Sequence, residues 1–405
     1  MLHTPLHEDI HRKRSLALHQ FFRVIWTTLV AVFVPAMLYS EFWVSLAWIF
    51  LFSAISALTI VIANTYFSRS FTAKRWSKPA LIVGILFLFV YLLLLWVAKH
   101  HEWLIYIVPV LAWLHSSIYR AWIHYSMILI SQENESHTWR DMAYLETAKL
   151  VWVALAPLVW WLVADRIWID ALMYVWWVCT LASIVPLLSD HHRHVDTSRK
   201  VPSWNKFTQS TFRVWSAYLW IWVLSILWTV FWSLYIFIAV GSFTTLWRIS
   251  AISSVIVIIA VWLIWSLADS HPEKTYKIHR WIVRSHTTTR ILVASAIVLS
   301  FFSTLFFTIA DFIQKLMMKL WSMISDRSTY TQSIHCDFDE QISILRARQT
   351  SIEVARVLLC WWVALIAMVT TNPIIIFSIP CLVAALSAPS QLVLSESAKS
   401  VSSPL

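Results

Sequence analysis

The stretch "APLVWWLVAD", residues 156–165, reads as the second half of a membrane-crossing helix, apolar apart from its final Asp165. The apolar run begins upstream at Met142 and ends at Ala164. That is the length a bilayer core demands, about 20 residues. Two features stand out within it. Pro157 sits mid-helix, and the adjacent Trp160 and Trp161 follow it where membrane helices usually approach one another through small side chains. Whether this run is an exception or the pattern of the chain decides the fold.

It is the pattern. Of 405 residues, 59% are hydrophobic and 13% charged, against about 25% charged in soluble domains. Comparable runs lie near Phe21–Tyr39, Val44–Phe67, Ala80–Ala98, Trp103–Ile130, Met142–Ala164 and Ile167–Leu188. After a polar stretch they resume at Val214–Val240, Phe243–Ala268, Ile352–Met368 and Pro373–Leu394. The region from Lys277 to Ile324 has room for two more crossings, although Arg284, Arg290, Lys315 and Lys319 lie within it. The expected fold class is therefore an all-α polytopic membrane protein with about twelve transmembrane helices. The start, "HEDIHRKRS", lacks the short apolar core of a cleavable signal, so the first span is expected to direct insertion.

Charge gives the topology independently of hydropathy. Arg12, Lys13 and Arg14 precede the first span, and Arg69, Lys74, Arg75 and Lys78 fill the second loop. The sixth loop carries Arg193, Arg199, Lys200 and Lys206, and the eighth carries Lys274, Lys277, Arg280 and Arg284. The first and seventh loops have no Lys or Arg, the third has only Lys99 and the fifth only Arg166. Since Lys and Arg stay on the cytoplasmic side, both termini are expected inside, with the protein multi-pass in a bacterial inner membrane. The expected organisation is a six-helix half over residues 1–190, a basic cytoplasmic linker over 191–212, and a second six-helix half over 213–405. The net charge of +10 belongs to these loops, so no nucleic-acid partner is expected. Cys179, Cys336, Cys360 and Cys381 are scattered and show no metal-ligand spacing.

Two residue counts are anomalous. Gly occurs 2 times and Trp 28 times, whereas ordinary usage of about 7% would give about 28 Gly. Trp such as Trp103 fits an aromatic belt at a membrane interface. Trp160, Trp161, Trp361 and Trp362 do not obviously fit one, while Trp232 in "FWSLYIF" reads as a true Trp.

Local motifs give the chain a family likeness. At the end of the eighth span, "WSLADSHPEK" (residues 265–274) resembles the cytoplasmic-loop signature of the major facilitator superfamily of secondary transporters, Gly-x-Leu-Ala-Asp followed by basic residues. Leu267, Asp269 and Lys274 are in register, and Trp265 stands at the Gly position. The likeness implies that Asp269 latches the cytoplasmic side. The corresponding first-half loop, "NTYFSRSFTAKRWSK", keeps the basic cluster without the acidic residue. Span five is similar to the Gly-x-x-x-Gly-Pro-x-x-Gly-Gly run of exporters in that superfamily, with Trp152, Pro157, Trp160 and Trp161 in register and Ala156 departing. Trp76 in "AKRWSK" and Trp139 before Arg140 also stand at Gly-like positions, and "CWWVALIA" (residues 360–367) becomes a small-residue face if its Trp are Gly. One reading is that many of these Trp are Gly in the native protein, through a code in which UGA means Gly. The other is a genuine aromatic belt.

Ionisable residues inside spans are the candidates for function, because burying them is expensive. Glu146 and Lys149 lie about one turn apart in span five, placed either to pair or to snorkel to the cytoplasmic face. Arg120 lies in "HSSIYRAWIHY" between His115 and His124 and needs an anionic partner or substrate. Arg248, Arg290 and Asp311 complete the set, Asp311 being able either to titrate or to sit at an interface. The linker stretch "SDHHRHVD" reads as solvated, so no metal and no cofactor is expected. The family likeness implies a secondary transporter that moves a small-molecule substrate across the lipid bilayer by alternating access. Span five inclines this toward proton-coupled efflux, with Glu146 or Asp311 exchanging the proton. An enzyme is not expected. The rival readings are a polytopic lipid-modifying enzyme, for which His100, His101 and Glu102 are the nearest approach to a site, and a transporter-like protein that no longer transports.

Overall fold

The computed structural model describes chiefly residues 34–40, 42–66, 73–98, 100–111, 169–188, 231–270, 304–316 and 338–387, with isolated positions elsewhere, such as His19, His115 and Tyr119. The elements with defined ends are α1 (Leu46–Tyr66), α2 (Ala73–Val97), a 3₁₀ turn (Glu102–Tyr106), α3 (Ile169–Ala182), α4 (Ile184–Leu188), α5 (Ser233–Val240), α6 (Phe243–Ser270), α7 (Phe338–Val369) and α8 (Pro373–Ser387). Residues 34–40 and 304–316 are also helical. Among the described residues there is no strand. Leu46–Ala63, Phe243–Val261 and Gln349–Val369 are each long and apolar enough to cross a membrane, which agrees with a multi-pass membrane protein.

The helix starts are set locally. Ser45 Oγ accepts from Trp48 N (3.3 Å), Ser242 Oγ from Thr245 N (3.4 Å) and Asn372 Oδ1 from Ile374 N (2.9 Å). These are N-caps, which satisfy backbone N–H groups that no earlier carbonyl can reach. Inside the apolar helices, hydroxyls fold back on their own backbone. Thr59 Oγ1 donates to Ile55 O at 2.8 Å, which removes a polar group from contact with lipid.

The turns before α1 and before α6 both contain left-handed backbone. Gly241 closes α5 with φ +66°, donating its N–H to Phe237 O (2.8 Å). Trp43 holds φ +53° before α1, where Val44 N–H reaches back to Leu38 O (3.0 Å). Glycine adopts this conformation freely, whereas for a bulky side chain it is a genuine outlier. The indole of Trp43 is 88% exposed, so no burial offsets the strain.

Packing follows a few long contacts. α7 lies along α1 in the most extensive helix pair among the described elements, and α2 packs on α3. Gly84 of α2 lets the segment bearing Tyr119 approach closely, since a Cβ there would sit 3.1 Å from Tyr119 Cβ. On α7 the buried face is Cys360, Val363 and Ala364, while Trp361 and Trp362 are 52% and 38% exposed. The small-residue face of "CWWVALIA" therefore exists without its tryptophans, which point outward.

Two boundaries differ from the sequence expectation. α2 starts at Ala73, so Trp76 lies within a helix and not in a Gly-like turn, because the Ala, Lys and Arg around it are good helix formers. α7 starts at Phe338, so residues 338–350, expected in the loop between the runs ending at Ile324 and beginning at Ile352, are helical. Hydropathy detects only an apolar stretch, so it passes over the charged extension "FDEQISILRAR" with which the helix begins.

Candidate functional site

The second half encloses a charged cluster. Asp311 lies on helix 304–316 and is 4% exposed. Its Oδ2 pairs with Lys315 Nζ at 2.7 Å, one turn along the same helix. Its Oδ1 accepts from Trp232 Nε1 at 3.1 Å, and Ser253 Oγ donates to Oδ2 in a short hydrogen bond. All three partners are donors, which suits a carboxylate anion. Ser250, Ser253 and Ser254 recur at i, i+3 and i+4 on α6 and so share one face. All three are buried and lie against the Lys315 ammonium. Gln314, adjacent to Lys315, is fully buried, and among the described residues neither its Nε2 nor its Oε1 has a hydrogen-bond partner. An unmade buried amide costs about 1–3 kcal/mol, so it marks a place where a polar partner belongs.

An aromatic layer covers this cluster. Phe50 of α1 stacks on Phe231 with ring centroids 4.6 Å apart and meets Phe377 of α8 edge-on at 6.1 Å. Tyr235 of α5 touches both Phe377 (5.2 Å) and Phe307 (6.1 Å). These rings are at most 3% exposed, and they join a first-half helix to three segments of the second half. Phe50 is one turn into α1, Phe377 one turn into α8, and Tyr235 about a turn and a half before α5 ends at the Gly241 turn. The layer therefore lies toward the face of the odd-numbered loops. Asp311 is one turn beyond Phe307, about 6 Å further in at 1.5 Å per residue. Trp232 connects the two levels, its ring against Phe307 (6.2 Å) and its N–H on Asp311.

Two further buried polar groups lie outside the cluster. His19 Nδ1 donates to Ser183 O (2.7 Å), and its Nε2 makes a short hydrogen bond with Tyr119 Oη. His115 Nδ1 donates to Gly84 O (2.7 Å), its ring stacked on Tyr119. On α7, the fully buried Glu353 meets Gln349 Nε2 at 3.0 Å and Arg356 at 3.2 Å.

Of the residues singled out from sequence, Asp311 is at the centre of the cluster. Arg248 is exposed, on the side of α6 away from Ser250, so the structure does not bring it to Asp311. Trp265, Leu267 and Asp269 fall in the last turns of α6. Glu146, Lys149, Arg120, Arg290, Lys274, Trp152, Ala156, Pro157, Trp160 and Trp161 lie outside the described residues. Sequence reading missed Lys315 as a partner, Gln314, Glu353 and His19. The i+4 spacing of Asp311 and Lys315 was the available signal. His100, His101 and Glu102 are exposed in the turn after α2, and no group of three or more metal-ligating side chains occurs among the described residues.

The whole chain can now be compared with solved structures. It superposes on a single-substitution mutant of the nucleoside transporter NupG with a TM-score of 0.64, covering 97% of this chain and 100% of that one. It has the NupG fold. The all-helical membrane-protein fold expected from the sequence is thus shared with a solved structure over nearly the whole chain, although the two sequences are 14% identical. No protein-family model matches the sequence, and no curated protein matches it in sequence. At this distance NupG fixes the fold alone, since one fold serves many functions.

Proposed function

We propose that the chain is a secondary transporter of a small polar solute, working by alternating access, with Asp311, Lys315 and Gln314 at its solute site. The carrying observation is that the aromatic layer between the halves sits directly over this charged, incompletely satisfied cluster. A seal on one side of a polar site near the midplane is what a rocking carrier requires in one of its two end states. The charge pattern supports an outward position for the seal and cytoplasmic positions for both termini in an inner membrane. Proton-coupled efflux is the mode that the span-five likeness supports, with Asp311 or Glu146 exchanging the proton. An enzyme reading finds less support, because its nearest residues, His100, His101 and Glu102, lie in an exposed turn.

The deciding experiment reconstitutes the purified protein in liposomes under an imposed pH gradient. Nucleosides make the first panel, since NupG carries that name, followed by other uncharged polar solutes. Gradient-driven flux of one solute supports the proposal. A protein that binds solute with no flux in either direction would support the non-transporting reading instead.

We propose that Trp43 is glycine in the native protein, as the left-handed backbone at this position and the part Gly241 plays in the turn before α6 both suggest. Trp48 and Trp177 point the same way, since each buries an indole N–H without a hydrogen-bond partner among the described residues, which buried Trp usually has. Trp232 does not, because its N–H is used. A tandem mass spectrum of natively expressed peptides over residues 41–50 and 150–165 is expected to show Gly at 43, 160 and 161. In the chain carrying Trp at this position, Trp43→Gly should raise stability by roughly 1–2 kcal/mol. Trp at 43 in the native peptide, with no stabilisation by Gly, would overturn it.

A further inference from the structure

The surroundings of Lys315 exceed what an ammonium group can use. Five oxygens converge on Nζ: Asp311 Oδ2 at 2.7 Å, Ser250 Oγ at 2.8 Å, Ser250 O and Ser253 Oγ both at 3.0 Å, and Ser254 Oγ at 3.1 Å. An ammonium has three N–H bonds to direct, so at least two of these oxygens must share a proton. A spherical ion has no such limit and takes hard oxygen ligands of this kind, one carboxylate with hydroxyls and a carbonyl. Every ligand other than Asp311 comes from α6, from side chains of Ser250, Ser253 and Ser254 that are at most 6% exposed, or from the Ser250 carbonyl. The cage is therefore fixed on a long helix, and its cation arrives on a separate helix, through a flexible stem that is itself 24% exposed.

We propose that this cage is a binding site for a monovalent alkali cation, occupied here by the chain's own Lys315 ammonium. The tethered ammonium makes the second half independent of sodium or potassium. It also joins α6 to helix 304–316, as a bound ion would. Charge supports the same conclusion. With Lys315 in place the site is neutral, and without it Asp311 is a buried carboxylate that needs a cation. Trp232 and Ser253 still donate to that carboxylate, so its orientation is kept. The separations match an ion about the size of ammonium, which favours potassium or rubidium over sodium and lithium. This proposal concerns ion binding alone and stands whether or not the chain transports a solute.

The test uses the purified full chain carrying Lys315→Gln, with Lys315→Met as a second variant that preserves the apolar stem. Thermal unfolding is followed in KCl, RbCl, NaCl and LiCl, with N-methylglucamine chloride holding ionic strength constant. Both variants are expected to show a saturable alkali-dependent rise in Tm of roughly 2 °C or more, with binding of one rubidium ion per chain by isotope equilibrium. The unsubstituted protein should show neither, and Asp311→Asn added to Lys315→Gln should abolish both. If neither variant binds rubidium or sodium, or if stability depends only on pH because Asp311 is protonated instead, the proposal is wrong. Failure of both variants to fold in every alkali salt also counts against it, since no ion then replaces the ammonium.

Discussion

Asp311→Asn is expected to remove gradient-driven transport while leaving the chain in the membrane. The substitution preserves shape but deletes the anion that holds Lys315 at 2.7 Å. Breaking a fully buried ion pair costs about 3–5 kcal/mol. The effect on stability should fall at the low end, because Lys315 is 24% exposed and α6 still offers it the Ser250 carbonyl. The effect on transport is larger. An interaction that positions solute or carries the coupling charge is lost in every state of the cycle, so flux should fall by roughly two orders of magnitude, equivalent to about 2.7 kcal/mol. The measurement is initial uptake into proteoliposomes, normalised to protein recovered as a monodisperse peak. Glu146→Gln belongs beside it as the other coupling candidate. Full gradient-driven transport in both variants would remove the proton-coupling proposal.

Phe50→Ala is expected to unseal the odd-loop face. Phe50 is fully buried and is the first-half ring in the layer, against Phe231 and Phe377. Truncating such a ring costs about 3–5 kcal/mol in a static core. Here much of that loss falls on the sealed state alone, so even about 2.7 kcal/mol would shift the balance between end states about 100-fold. The native Cys381, one turn beyond Phe377 and 7% exposed, reports on the change. In a variant with Cys179, Cys336 and Cys360 replaced by Ser, its reaction with an impermeant thiol reagent from the odd-loop side should accelerate sharply. Unchanged labelling together with unchanged flux would show that the layer is not the seal.

What was legible beforehand follows from which forces are local. Residues 46–66 and 243–270 announce themselves as spans because a bilayer imposes length and apolarity on each helix separately. Their observed ends at Leu46 and Phe243 lie within two residues of the sequence reading. The start of α7 was misplaced because its charged turns follow helix propensity and carry no hydropathy signal. Asp311 was visible as a lone acidic residue in an apolar region, but its surroundings were not. Glu353 was hidden because it lies at the very start of the apolar run beginning at Ile352, where a carboxylate can reach water, and only packing buries it beside Gln349 and Arg356.

The sequence by itself determined the membrane environment of the chain and the helical character of the apolar runs among the described residues, and its loop charges set the expected direction of crossing. It even pointed to individual anomalies such as its 28 Trp. Only the tertiary structure decided that Ser250, Ser253 and Ser254 face a carboxylate some 60 residues further along, and that Phe50 closes over it from the other half. The physical reason is that hydropathy and charge act on one helix at a time. In lipid, where apolar surfaces of different helices are almost interchangeable, side-chain packing and buried hydrogen bonds choose the partners.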